Sequence, residues 1–148
     1  MQPVAARALE ELFDGALDEG ITLYATSGFR SYSTQKAIFE RKLDTMSEKA
    51  ANASVAKPGY SEHQTGLAMD VTCEVVNFEL CEEFAETREF EWLKENAYKY
   101  GFVIRYPEDK ETITGYQFEP WHLRYVGKKM AKEMVEKEIV LEEVYGSK

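Results

Sequence analysis

The chain has 148 residues, of which 44% are hydrophobic and 13% aromatic, so it can bury an ordinary core and predicts one domain over residues 1–148. Its net charge is −9 and no stripe of Lys and Arg runs along it, which excludes nucleic acid and an anionic membrane surface as expected partners. No apolar run approaches the roughly 20 residues that cross a bilayer, and no signal-peptide pattern is present.

The first third of the chain shows helical spacing of apolar residues, then strand-like alternation, then helical segments. Gly20 is a suitable end for the first helix, and Lys57-Pro58-Gly59 interrupts the chain after the last one. The predicted elements are a helix over 4–19, a strand over 21–26, a turn over 27–31, a helix capped by Ser33 that runs to about residue 43, and a short helix over 45–56.

The rest of the chain mixes both patterns again, and no Gly-rich phosphate loop follows a strand. This mixture predicts an α+β fold with a small, mostly antiparallel sheet and flanking helices. The predicted elements are strands over 67–72 and 102–106, a strand that starts at 116–118, and helices over 89–99, 127–138 and 141–145.

The two cysteines, Cys73 and Cys81, are not spaced as a Cys-x-x-Cys redox or metal motif. They leave two alternatives open. In an exported protein they could form a disulfide, and otherwise they are two free, mostly buried thiols.

Both histidines lie in clusters of polar and turn residues, at 61–70 and 119–122. These clusters offer two imidazoles and a carboxylate as ligands, and three N/O ligands with a fourth position left to water are typical of a catalytic zinc site. A carboxylate beside such a site is the usual general base, and Glu119 is available for that role. The candidate ligands are His63, Asp70 and His122.

This assembly requires two bends in the chain. Residues three apart on a regular strand face opposite sides, so Glu119 and His122 can share a site only if the chain bends at Pro120-Trp121. Similarly, Gly66 is expected to provide the turn between a loop-borne His63 and a strand-borne Asp70. On that strand, Ala68 and Thr72 share the face of Asp70 and leave room beside it for an ion.

The motif Ser-x-His-x-x-Gly-x-Ala-x-Asp followed by Glu-x-x-His resembles the VanY-type D-alanyl-D-alanine carboxypeptidases of peptidoglycan, peptidase family M15B. L,D-carboxypeptidases and VanX-type dipeptidases are related to this group. The turn over 27–31 is similar to the family's arginine segment, and the resemblance covers roughly residues 4–146. The matching positions are Ser61, His63, Gly66, Ala68, Asp70, Glu119 and His122.

The resemblance implies a hedgehog/DD-peptidase-like zinc peptidase fold, with Zn²⁺ held by His63, Asp70 and His122. Glu119 would be the general base that takes a proton from water and passes it to the leaving amine. Arg30 would bind the terminal carboxylate of the substrate or stabilise the developing oxyanion, and the sequence does not separate these roles.

The same resemblance implies four further substrate contacts. Gln35 and Ser61 match positions that contact the C-terminal end of the substrate, and Tyr106 and Trp121 match positions that line the peptide groove. The alternative for each aromatic residue is ordinary core packing, and the alternative for Ser61 is a loop hydrogen bond.

The implied function is removal of the C-terminal D-alanine from peptidoglycan stem peptides that end in D-Ala-D-Ala. The alternatives are an L,D-carboxypeptidase acting on L-Lys-D-Ala tetrapeptides and a non-catalytic zinc-bearing binding module, and the presence of Glu119 favours an enzyme. We expect a monomer whose partner is the stem peptide. We also expect an extracytoplasmic location, with a leader or membrane anchor absent from this chain.

Overall fold

The computed structural model describes residues 1–146, apart from the side chain of Ala53. In this part of the chain, four strands form one sheet flanked by seven helices. The strands are β1 (Tyr24–Ser27), β2 (Ala68–Thr72), β3 (Phe102–Tyr106) and β4 (Glu119–Tyr125). The helices are α1 (Pro3–Asp18), α2 (Tyr32–Leu43), α3 (Glu48–Ser54), α4 (Arg88–Asn96), α5 (Glu111–Thr114), α6 (Lys128–Glu136) and α7 (Leu141–Val144). Short 3-10 turns connect several of them, including one at Glu62–Thr65.

The sheet has the order β1-β2-β4-β3, and each neighbouring pair is antiparallel. This confirms the predicted α+β class with its small antiparallel sheet. The main core lies where α1 and α4 pack on one face of the sheet, and a smaller cluster joins β3 to α6 and α7. The largest fully buried hydrophobic side chains are Phe84, Phe102, Leu12, Leu93, Leu123 and Val71.

Most predicted elements are present, and their ends differ by a few residues. The first strand enters the sheet only at Tyr24, although Ile21 and Leu23 before it are buried. Ser33 was the wrong cap for α2, because the hydroxyl of Ser31 accepts the hydrogen bond from the backbone N–H of Thr34. The last strand starts at Glu119, because the segment 116–118 is a bend followed by irregular backbone.

β4 contains the bend that the Glu-Pro-Trp-His sequence predicted. Ile104 of β3 pairs with Leu123, but Tyr106 pairs with Glu119, so the register shifts between these two positions. Such a bulge turns consecutive side chains of a strand out of strict alternation. It also accommodates Pro120, which has no N–H for the ladder, within a strand paired on both sides.

The structure also bears on the two cysteines and on the search for a membrane-spanning helix. Cys73 is buried, Cys81 is partly exposed, and both are free thiols. Within the part of the chain that the structure describes, no helix is both long and apolar enough to cross a membrane.

Candidate metal centre and active site

The two central strands bring a carboxylate and an imidazole face to face. Asp70 of β2 and His122 of β4 are directly paired across the ladder. Asp70 Oδ1 lies 2.8 Å from His122 Nδ1. Because both residues lie in the middle of the sheet, their positions are fixed by backbone hydrogen bonds on either side rather than by a flexible loop.

His63 reaches the same point from the 3-10 turn that precedes β2. Its Nδ1–H donates to the carbonyl oxygen of Gly28 at 2.7 Å, and its own carbonyl accepts from the N–H of Arg30 at 3.2 Å. Gly66 ends the turn with φ of 71°, a conformation that favours glycine, and a Cβ there would lie 3.1 Å from the backbone N of Gln2. The ring is thereby held so that Nε2 points to Asp70 Oδ2 at 3.2 Å.

These three side chains fit a zinc ion. One ligand atom from each lies within 4.8 Å of the other two. All three residues are at least 96% buried, and His63 Nε2 has no hydrogen-bond partner among the described side chains and backbone. A buried nitrogen without a partner is costly unless something binds it. Two imidazoles and a carboxylate are a donor set that zinc prefers, and the Gly28 carbonyl supplies the outer hydrogen bond usual for a ligating histidine.

The pKa values of two carboxyl groups in the site, Asp70 and Glu119, are shifted in opposite directions. Burial raises the pKa of Asp70, but its close contacts with the His122 and His63 rings outweigh burial and hold this pKa far below its ordinary value. For Glu119 burial dominates, and it raises the pKa to about 7 despite the opposing charge of His122. Asp70 is therefore suited to bind a cation permanently, whereas Glu119 can exchange a proton near neutral pH.

Glu119 lies at the start of β4, on the side of the cluster that His122 Nδ1 faces. Its Oε2 is 4.0 Å from His122 Nδ1, the nitrogen that also faces Asp70. Its side chain is 13% exposed and lines the cleft. The bulge in β4 explains how residues 119 and 122 come to face the same cleft.

Arg30 approaches the cluster from the turn between β1 and α2. Its Nη2 lies 3.2 Å from Asp70 Oδ2, and its Nη1 donates to Gln35 Oε1 at 3.1 Å. Gln35 is 1% exposed, and its Nε2 donates to the carbonyl of Ala56 at 2.7 Å. The Nε–H of Arg30 is buried without a partner in the described part of the chain, so this donor is available to a ligand.

The cleft itself has a volume of about 200 Å³, and all nine residues singled out in the sequence line it. Ser61 is 7% exposed. Tyr106 stacks on the ring of His122 with centroids 5.1 Å apart. Trp121 is half-buried, lines the cleft and also packs against the main core.

Sequence reasoning gave no role to four residues that surround the cluster. Tyr116 lines the cleft and stacks on Tyr106. Glu62 lies beside His122 and binds the guanidinium groups of Arg105 and Arg124. One signal was available, because an arginine in the otherwise apolar and aromatic segment 102–106 requires a buried anionic partner.

A small α+β domain with a buried His-Asp-His cluster and a neighbouring acid of raised pKa has the features of a zinc hydrolase. The chain belongs to the VanY D-alanyl-D-alanine carboxypeptidase family, whose model matches residues 1–128. This confirms the resemblance seen in the motifs. YodJ of Bacillus subtilis (strain 168), named as a carboxypeptidase, is 53% identical over 141 residues, which are 95% of this chain and 52% of YodJ. The chain spans about half the length of the curated relatives that it matches first.

Solved structures agree with this family. The LD-carboxypeptidase LdcB is 52% identical and superposes with a TM-score of 0.93, covering 98% of this chain and 68% of LdcB. The D,D-pentapeptidase VanY of a VanB-type resistance cassette, solved in complex with Zn(II), is 36% identical with a TM-score of 0.81. That match covers 96% of this chain and 82% of the VanY chain. The neighbours confirm the zinc peptidase fold.

Proposed function

We propose that this domain is a zinc-dependent carboxypeptidase that removes a C-terminal D-alanine from peptidoglycan stem peptides. The observation that carries the proposal is the position of Glu119. This buried carboxyl, with a pKa of about 7, lies 4.0 Å from a ring nitrogen of a His-Asp-His cluster. A binding module has no need of a base at that point, so the arrangement favours catalysis over the non-catalytic alternative.

In the proposed mechanism, zinc held by His63, Asp70 and His122 would polarise the scissile carbonyl and acidify a water molecule. Glu119 takes the proton of the attacking water and later passes it to the leaving amine, which a group with a pKa of about 7 can do in both directions. Arg30 touches Asp70 and has a donor to spare, so we assign its guanidinium to the oxygen of the reacting carbonyl.

The other residues of the cleft have supporting roles in this proposal. Gln35 holds Arg30 through its amide oxygen and anchors it to the Ala56 carbonyl through its amide nitrogen, so we assign it to orienting Arg30. Ser61 lines the same cleft, and we assign it to contact with the C-terminal end of the peptide. The aromatic rings of Tyr106 and Trp121 form apolar walls for the alanine methyl groups and the stem.

Between the two specificities, we favour L,D over the D,D activity that the motif first suggested. Identity to the LD-carboxypeptidase LdcB is 52% with a TM-score of 0.93, against 36% and 0.81 for the D,D-pentapeptidase VanY. The favoured substrate is therefore a tetrapeptide that ends in L-Lys-D-Ala. Because peptidoglycan lies outside the membrane, we also propose that the domain works at the cell surface or in the wall space. We further propose that it works as a monomer.

Mass spectrometry of the products tests this function. The zinc-loaded protein is given a tetrapeptide ending in L-Lys-D-Ala and a pentapeptide ending in D-Ala-D-Ala, in separate reactions and then together. We expect loss of one alanine from the tetrapeptide, whereas loss from the pentapeptide alone would establish the D,D alternative. The Glu119→Gln variant, loaded with zinc, is the control for contaminating peptidases. If neither peptide loses alanine, the carboxypeptidase assignment is wrong.

A further inference from the structure

Glu62 occupies a buried position beside the metal cluster, in the turn that also carries His63. Its side chain is 12% exposed. One oxygen, Oε1, accepts from Arg105 Nε at 2.8 Å and lies 2.8 Å from Arg124 Nη1. Two guanidinium groups thus fix this carboxylate from one side and compensate the cost of burying it.

The second oxygen of Glu62 faces the cluster. Oε2 lies 3.5 Å from His122 Nε2, and neither of these buried atoms has a hydrogen-bond partner in the part of the chain that the structure describes. The other nitrogen of the same ring, Nδ1, faces Asp70 and Glu119. The ring therefore presents Nδ1 to Asp70 and the proposed zinc position, and Nε2 to Glu62.

This division decides which tautomer of His122 the site accepts. A neutral imidazole has one N–H and one lone pair, so a ring that offers the Nδ1 lone pair to a metal must carry its proton on Nε2. That proton needs an acceptor, and Glu62 Oε2 is the atom opposite it. The other oxygen of Glu62 is occupied by Arg105 and Arg124, which keeps Oε2 directed at the ring.

The outer end of this network is tied to the last helix of the chain. Arg105 Nη1 and Nη2 donate to the two carboxylate oxygens of Glu142 at 2.9 and 2.6 Å. This bidentate ion pair fixes the plane of the guanidinium. Glu142 lies in α7, outside the residues 1–128 matched by the family model. The chain of contacts runs from α7 through Arg105 and Glu62 to His122.

We propose that Glu62 is a positioning residue that holds His122 in the tautomer and orientation required for zinc, and that Arg105, braced by Glu142, holds Glu62 in place. The proposal rests on the zinc binding assigned above. It adds a carboxylate–histidine pair to the site, of the kind that orients a ligating ring from behind.

The sharpest test is Glu62→Gln, because the amide has one acceptor and one donor end. Its oxygen is expected to face Arg105 and Arg124, which leaves the NH₂ group facing His122 Nε2. The ring would then have to accept at Nε2 and carry its proton on Nδ1, the wrong side for the metal. We expect zinc affinity, measured by competition with a chelator, to fall about 10- to 100-fold, with a changed visible spectrum of the cobalt-substituted protein.

Proton NMR of the zinc-loaded protein gives a readout independent of activity. The wild type should show two downfield ring N–H signals, one from His63 Nδ1–H on the Gly28 carbonyl and one from His122 Nε2–H on Glu62. In Glu62→Gln the second signal should disappear while the first persists. Glu143→Gln is the matched control, since Glu143 neighbours Glu142 but binds Lys110 and the backbone of Val140.

Glu142→Gln should weaken zinc binding less than Glu62→Gln, because it weakens only the ion pair between Glu142 and Arg105. If Glu62→Gln fails to fold, Glu62→Asp replaces it, since a shorter carboxylate can keep the arginines yet withdraws from His122. Unchanged zinc affinity and both downfield signals in a folded variant would overturn the positioning role. A wild type that binds no zinc would instead contradict the proposed function itself.

Discussion

At the scale of single residues, three carboxylates within one small site are tuned in two directions. Glu62 and Asp70 have lowered pKa values, because cationic or hydrogen-bonding partners outweigh their burial. Glu119 has weaker partners, so burial raises its pKa to about 7. Permanent anions are useful for holding a cation and its ligands, and a group that titrates near neutrality is useful for moving a proton. The environment of each carboxylate thus indicates its role.

The raised pKa of Glu119 predicts a conflict between stability and activity. Its pKa is about 7 in the folded protein and 4.5 in the unfolded chain, so ionising it costs stability as the pH rises from about 4.5 through 7. Without metal, Glu119→Gln should therefore be more stable than the wild type by as much as about 3 kcal/mol at pH 8 and by little at pH 4. With zinc it should bind the ion and lose most turnover, by roughly 10²- to 10⁴-fold.

Urea unfolding of both proteins at pH 4 and pH 8, with chelator present, measures the stability difference. A difference that is the same at both pH values would show that burial does not perturb Glu119 in this way. Full turnover by the zinc-loaded variant would remove Glu119 from the role of base.

Arg30 predicts a particular change in kinetics. Its guanidinium contacts Asp70 at the centre of the site, so a role at the reacting carbonyl should appear in kcat, whereas binding of the terminal carboxylate should appear in KM. We expect Arg30→Lys to lower kcat by about 10²-fold with a much smaller change in KM, because a lysine cannot reproduce the fork between Asp70 and Gln35. Steady-state kinetics on the preferred peptide would reveal the opposite pattern directly, and such a result would reassign Arg30 to the substrate carboxylate.

Residue types and spacing pointed to the three ligands and Glu119, and the family resemblance added the other five residues that line the cleft. Neither could identify the partners of those side chains. Glu62 was visible beside His63 in the sequence, yet its role depends on Arg105 and Arg124, which are distant in the chain. The same holds for Gln35, whose bond to Ala56 spans 21 positions. Contacts of this kind are decided by tertiary packing, and no local pattern encodes them.

At the scale of elements, the junction before β3 is held by one glycine. Gly101 ends the 3-10 turn at Ala97–Tyr100 with φ of 90°. A Cβ there would lie 2.8 Å from the ring of Tyr125 and 3.0 Å from the backbone N of Lys128. The Gly101 carbonyl also accepts hydrogen bonds from Val126 and Gly127, so the turn fixes the exit of β4.

Gly101→Ala should therefore destabilise the fold by roughly 2–5 kcal/mol, which combines the cost of a left-handed alanine with that of overpacking. The control is Gly20→Ala, whose φ is also positive at 73° but whose Cβ would meet nothing within 4 Å. This variant should lose only about 1–2 kcal/mol. Denaturant unfolding of the two variants measures both numbers, and equal losses would show that the crowding around Gly101 is relieved at no cost.

The types of the elements followed from periodicity more reliably than their ends. Helix α1 and strand β3 have strong patterns and were placed within a residue. The N-terminus of α2 was misplaced because two serines two residues apart can each cap a helix, and only the hydrogen bond to Thr34 decides between them. The start of β4 was also placed too early, because Tyr116-Gln117-Phe118 has a strand composition although its backbone is irregular.

At the scale of the whole molecule, the sheet order assembles the site. β2 and β4 are far apart in sequence and adjacent in space, and this adjacency places Asp70 opposite His122. The sequence predicted that these residues meet because their chemistry required it, and the family motif supported it. Strand order itself could not be deduced from a single chain, because the long segment between β2 and β4 is compatible with several antiparallel arrangements.

The same assembly makes the stability of the molecule depend on metal. The ligands are more than nine-tenths buried and belong to three separate segments, so an ion that binds them only in the folded state stabilises the fold by mass action. Zinc at about 1,000 times its dissociation constant contributes about 4 kcal/mol. For a domain of this size, each kcal/mol raises Tm by roughly 2–8 °C, so a rise of at least about 8 °C is expected.

Calorimetry across a series of zinc-buffered solutions tests this dependence. Tm of the wild type should rise with the logarithm of free zinc, and excess chelator should lower it to the value without metal. His122→Ala removes one ligand and should flatten the response, whereas Glu119→Gln keeps all three ligands and should preserve it. A wild-type Tm that does not respond to free zinc would mean that the cluster formed by β2, β4 and the His63 turn is not a metal site. The His-Asp-His geometry would then have to be explained by its own hydrogen bonds.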